Sequence, residues 1–239
     1  MVVEKYVDEN GIVGIVLEKY ENGDTIEYGY SEEDHKLEYV TYKNKDEEFH
    51  RIDGPASILY HENGSIKYEA YYINGKFHRL DGPAEIEFLK NGFKRLERWC
   101  VNGKEHRLDG PSEIEYDYKE NLYIMSWSIY GKLHREKGPA YIYYYENGNK
   151  EKESYFINGT RRNTVKGEDF PSVIEYYSNG NIYSKRWYIK KDGVSKLHRE
   201  TGPAEIVFDI DGNIKKERWY NDGKYFKYFT EMQVSKLEM

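Results

Sequence analysis

His78-Arg79-Leu80-Asp81-Gly82-Pro83-Ala84-Glu85-Ile86-Glu87-Phe88, running on through Asn91-Gly92 to Trp99, decides the fold. After Pro83 the residues alternate: Ala84, Ile86 and Phe88 are apolar, while Glu85 and Glu87 are charged. Successive side chains of a strand point to opposite faces, so this period of two marks a strand with one buried side. Asn91-Gly92 tolerates positive φ and reads as a hairpin turn. The chain then returns as a second strand that ends on Trp99, sixteen residues after Pro83.

The same unit recurs six times. All six prolines mark it, at Pro55, Pro83, Pro111, Pro139, Pro171 and Pro203, with intervals of 28, 28, 28, 32 and 32. His50, His78, His106, His134 and His198 each stand five residues before a proline and each precedes an arginine, giving His-Arg-x-x-Gly-Pro-Ala/Ser. The fifth copy departs from this with Arg161-Arg162, an insertion, and Asp169-Phe170-Pro171-Ser172. The third residue after proline is always isoleucine (Ile58, Ile86, Ile114, Ile142, Ile174, Ile206), and the fifth is always aromatic. The return strand ends on Tyr71, Trp99, Trp127, Tyr155, Trp187 or Trp219, which accounts for all four tryptophans. Earlier in that strand Ile66, Tyr68, Leu122 and Ile124 lie in the other phase, which predicts a bulge or bend. A second turn such as Asn74-Gly75-Lys76 leads back to the next His-Arg segment.

One hairpin is marginally stable alone, whereas stacked copies bury continuous rows. The expected fold is all-β: an elongated, twisted antiparallel meander of about six two-stranded repeats, capped at both ends. Residues 1–49, with Asn10-Gly11 and Tyr20-Glu21-Asn22-Gly23, read as degenerate N-terminal repeats. The six tandem repeats fill 50–224, and 225–239 reads as a C-terminal cap made of a last strand and a short helix. From Pro55 to Lys224 the pattern resembles MORN-like repeats of bacterial, phage and large-DNA-virus proteins, on Tyr144-Tyr145-Glu146-Asn147-Gly148 and Ile73-Asn74-Gly75-Lys76. The usual unit is shorter and has Gly-x-Gly where this one has Asp-Gly-Pro-Ala. The resemblance implies an elongated sheet used for protein contacts, scaffolding or lipid association, and it implies no catalytic residues.

Aromatic residues make up 16% of the 239-residue chain, including 26 tyrosines, which argues against disorder. The net charge of -7, with both signs interspersed, argues against general nucleic-acid affinity. Cys100 is the only cysteine, which excludes an intrachain disulfide framework and a Cys-rich zinc site. Ile12–Leu17 is too short an apolar run to span a bilayer, and the start lacks a signal-peptide pattern. The expectation is a soluble, cytoplasmic protein, in the host-cell cytoplasm if viral.

Four features bear on chemistry. The His-Arg row repeats every two strands, about 10 Å, so its histidines cannot share one metal ion with bonds of about 2 Å. It reads as a structural loop; no catalytic residue, metal site or cofactor is expected. The aromatic row, including Trp99, Trp127, Trp187 and Trp219, reads either as packing or as a platform for sugars or nucleotides. In copy four Tyr141 and Tyr143 replace outward glutamates, Val173 comes next in copy five, and Tyr145 and Tyr177 lie close in sequence. Loss of charge there reads as an exposed apolar interface or as a surface covered by the N-terminal segment. Arg161, Arg162 and Lys166 in the insertion suit an acidic partner, or mark a tolerated loop. The functional expectation is a non-enzymatic scaffold or adaptor with a protein partner or self-association, acting on a host protein in a viral or phage setting. The alternative is a binder of sugars or nucleotides using the aromatic row.

Overall fold

The computed structural model describes residues 1–7, 13–165 and 168–226, and every regular element among them is a β-strand. The chain forms two compact units, Met1–Gly131 and Lys132–Met239, divided within the second turn of copy three. In the first unit, antiparallel pairing runs in chain order through Val2–Val7, Val13–Lys19, Thr25–Tyr30 and Leu37–Lys43. It continues through Ser57–Tyr60, Ile66–Ala70, Glu85–Phe88, Lys94–Arg98, Glu113–Tyr116 and Leu122–Ser126. In the second unit the meander is Tyr141–Tyr144, Lys150–Ser154, Val173–Tyr176, Ile182–Arg186, Glu205–Phe208 and Ile214–Asn221, and Lys224–Phe226 folds back on the end of the last strand. The short helix expected near the C-terminus falls on residues 227–239, outside the described ones.

Most hairpins close with a glycine at positive φ, such as Gly64, Gly92 and Gly148. The return strand then carries a bulge at one fixed place. Leu59 pairs with Tyr68 but Tyr60 with Ile66, and the same skip recurs at Lys94/Leu96, Leu122/Ile124, Lys150/Lys152, Ile182/Ser184 and Ile214/Lys216. One unpaired residue flips the phase of the rest of its strand, so Ile66 and Tyr68, two residues apart, fall on opposite faces, as do Leu122 and Ile124.

Past the bulge the return strand leaves the meander and makes a small second hairpin, here called the arm. Tyr72–Ile73 pairs with Lys76–Phe77, Cys100–Val101 with Lys104–Glu105, and Phe156–Ile157 with Thr160–Arg161. The copy-five arm is longer, Tyr188–Lys191 with Val194–Leu197. Arm tips such as Asn74-Gly75 and Asn102-Gly103 have two successive positive φ values, as a type I′ turn needs.

The core alternates small and large residues. Ala56, Ala84, Ser112, Ala140, Ser172 and Ala204, the residues after proline, are all 0% exposed. Their carbonyls accept from the amides of bulky neighbours: Ala84 from Tyr71, Ser112 from Trp99 and Ala204 from Trp187. Ile86, Ile142 and Ile174 are buried, while Ile58, Ile114 and Ile206 are half-buried. The opposite face is not simply solvent-exposed. There Arg98 bridges Glu85 and Glu113 on the flanking strands, and Glu105 from the arm reaches to 3.7 Å from Arg98.

Candidate functional site: the exposed loop row of the first repeats

The His-Arg-x-x-Gly-Pro loop is built from contacts that leave one position unused. The arginine lies over the aromatic ring of the preceding return strand: Arg51 on Tyr42, Arg79 on Tyr71, Arg107 on Trp99 and Arg199 on Trp187, at 3.9–4.0 Å. Its Nη1 donates to the proline carbonyl, as Arg79 does to Pro83 at 3.3 Å. In copies one to three its Nε donates to the next aspartate, Arg79 to Asp81 at 2.9 Å, whereas Arg199 donates to Asp169. These hydrogen bonds hold the Asp53, Asp81 and Asp109 carboxyls below their ordinary range. The guanidinium also explains the glycine. A Cβ on Gly82 would stand 2.8 Å from the guanidinium carbon of Arg79.

The histidine docks the following arm. Nδ1 of His50, His78, His106, His134 and His198 accepts the first turn amide of Asn74, Asn102, Tyr130, Asn158 and Asp222, at 3.2–3.3 Å. The adjoining glycine amide donates to the carbonyl before the histidine, as Gly103 does to Phe77 at 2.8 Å. Both inner amides of each tight turn are thereby satisfied. Among the described residues no three His, Cys, Asp or Glu side chains are arranged to hold a metal ion.

The position between arginine and aspartate does none of this. Ile52, Leu80 and Leu108 occupy it in copies one to three, with exposures of 86%, 81% and 79%. In copies four and six the same position is Glu136 and Glu200, also exposed. The loop therefore also forms with a charge there, though copy four sets Gly138 at φ 111° and copy six pairs Arg199 with Asp169, and the aliphatic side chains of copies one to three stand out in solvent. Beside them Asp53, Asp81 and Asp109 have side chains 84%, 84% and 83% exposed. The result is a repeating aliphatic–acidic edge within the first unit.

The residues singled out from the sequence lie in the second unit, and most are used by the fold. Tyr141 and Val173 align through Ser154, which pairs with both. Val173 is only 3% exposed, so the expected exposed patch does not extend to it; it is flanked by Ser154 on one side and Arg186 on the other. Tyr141 and Tyr143 are half-buried, with rings 4.8 Å apart. The Tyr145 hydroxyl donates to the Tyr176 carbonyl and that of Tyr177 to the Phe208 carbonyl, each tying one copy to the next. Arg162 takes the histidine position, its amide bonded to the Tyr155 carbonyl as that of His78 is to Tyr71. Arg161 is thus the arm residue, half-buried between the Phe156 and Tyr188 rings, and burial pulls its guanidinium below the usual value. Lys166 lies outside the described residues.

The aromatic row is covered rather than open. Tyr155 and Trp187 are buried, Trp99, Trp127 and Trp219 half-buried, and the Tyr71, Trp99 and Trp187 rings already carry an arginine. Cys100 is buried too, and burial pushes its thiol up to about 12.

No protein-family model matches the chain. No curated protein matches it either. Among solved structures, one described as "Crystal Structure of TcdB2-TccC3-TEV" is similar at 10% identity with a TM-score of 0.25. That alignment covers 91% of this chain and 13% of the other.

Proposed function

We propose that the chain is a non-enzymatic protein-binding module, a scaffold or adaptor that engages its partner through the Ile52–Leu80–Leu108 row. The observation that carries this is an aliphatic side chain about four-fifths exposed in each of three consecutive copies, at a position where glutamate stands in copies four and six. Burying such side chains contributes about 1.5–3 kcal/mol each, and the fold does not collect that energy. The resemblance of the repeat pattern to MORN-like units supports the same reading, as does the covering of the Tyr71, Trp99 and Trp187 rings by the chain's own arginines. A sugar or base stacking on those rings has to displace a guanidinium first.

The test is a triple substitution, Ile52→Glu, Leu80→Glu and Leu108→Glu, compared with the parent chain. Melting temperature should hold, because copies four and six fold with glutamate there. Proteins captured from the native cellular extract by the parent chain and lost by the variant would support the reading. An identical captured set for both chains would refute it.

A further inference from the structure

We infer that the Ile52–Leu80–Leu108 row receives an extended partner segment in the polyproline II conformation, built from aliphatic–basic–x triplets. This rests on the protein-binding reading and adds the shape and charge of the bound segment.

Shape comes from spacing. The three anchors sit in equivalent loops, each with its arginine 3.9–4.0 Å from an aromatic ring. Successive loops are two strands apart in the meander, which places the anchors about 9.6 Å from one another. A polyproline II chain has three residues per turn and a rise of about 3.1 Å, so every third side chain returns to one side after about 9.3 Å. Over three anchors the mismatch is under about 1 Å. A β-strand returns every two residues, about 6.7 Å, and at three residues presents the wrong face. A helix meets the row only at heptad spacing, about 10.5 Å, and overshoots by about 2 Å across three anchors.

Charge comes from the neighbours. Asp53, Asp81 and Asp109 each stand directly after an anchor and are more than four-fifths exposed. In each, one carboxylate oxygen is held by an arginine Nε at 2.8–3.0 Å, which fixes the carboxylate in place. A polyproline II triplet points its next residue about a third of a turn aside, so a lysine or arginine there meets the acidic row. A second copy of this chain suits the row poorly. It brings its own three carboxylates against these, on top of a net charge of -7 per chain.

The experiment is fluorescence polarisation on the full chain with a labelled peptide of four Leu-Lys-Pro triplets. One control has the same composition with leucines at irregular spacing; another is a Lys/Ala helix with leucine at every seventh position. The triplet peptide should bind at least about tenfold tighter than either control, a difference of about 1.4 kcal/mol. Leu80→Glu should weaken it at least about tenfold, Ile210→Glu outside the row should leave it unchanged, and added salt should weaken it. Equal binding of either control, or indifference to Leu80→Glu, overturns the inference. So does sedimentation showing a dimer that the triple glutamate variant dissolves. If the triplet peptide does not bind but the triple variant still loses captured proteins, this inference falls and the protein-binding reading stands. If both experiments are negative, both fall.

Discussion

At the scale of the residue, Glu120 marks a cost that the other copies avoid. It holds φ of 67°, where Gly64, Gly92, Gly148, Gly180 and Gly212 close the equivalent turns. A side chain in the left-handed region costs roughly 1–2 kcal/mol. Its carboxylate accepts from Asn91 Nδ2 at 2.6 Å, but on the exposed surface, where such a bond contributes little. Glu120→Gly should therefore raise stability by about 1 kcal/mol, read as a higher denaturation midpoint with an unchanged slope. A lower midpoint would mean that the Asn91 contact outweighs the strain.

The same scale shows why some assignments needed three dimensions. Counting back from the proline fails in copy five because the insertion intervenes. Counting forward from the aromatic works, since Arg162 stands seven residues after Tyr155 as His78 does after Tyr71. The exposure of Leu80 is not written in the sequence, where a leucine beside a repeat loop reads as core. The one signal for it was Glu136 and Glu200 at the same position.

At the scale of the element, the period-two runs and Asn-Gly turns were legible because both come from backbone geometry alone. The bulge was legible as a phase change. The arms were not, since strands of two residues are too short to show a period. The small residue after every proline became intelligible only with its bulky neighbours in place. Ala84 lies between the bonds to Tyr71 and to Arg98 and has no exposed surface. Ala84→Leu should cost about 1–3 kcal/mol by overpacking. Thermal denaturation should show the loss, and Ala84→Ser, the residue used in copies three and five, should be nearly neutral. Equal effects of the two substitutions would remove the packing explanation.

At the scale of the whole molecule, buried and half-buried tyrosines set an alkaline limit. Burial, with a hydrogen bond to Glu27, pushes the Tyr39 hydroxyl up to about 12. Tyr68, Tyr155 and Tyr176 are pushed higher, again chiefly by burial, beside Glu85 and Glu153. The folded state holds these protons more tightly than the unfolded chain, whose tyrosines titrate near about 10. Their stabilisation is complete below about pH 10 and is lost as pH rises through about 12. Tyrosine absorbance should titrate in an early exposed class and a late class that appears together with loss of the sheet. A single transition near about 10 with the sheet intact would contradict this.

A second prediction at this scale uses the period. Deleting Ala84–Pro111 removes one 28-residue unit and joins Pro83 to Ser112, so each strand finds an equivalent neighbour. Repeat stability is close to a sum of local terms. The shortened chain should fold with a modestly lower melting temperature, and the triplet peptide should bind it more weakly, as to two anchors. A chain that fails to fold would show that the copies are not interchangeable.

The exposed loop position gives this modularity a further meaning. One aliphatic mark in each of copies one to three, laid down at intervals of about 10 Å, makes the row of the first unit a ruler. Copies with leucine or isoleucine are engraved and copies with glutamate are blank. Gain or loss of a unit lengthens or shortens the scale by one whole division, and one codon engraves or erases a division without disturbing the sheet beneath it. Under the proposed reading, a partner is read by length in counted steps, so its recognition can change while the fold stays the same.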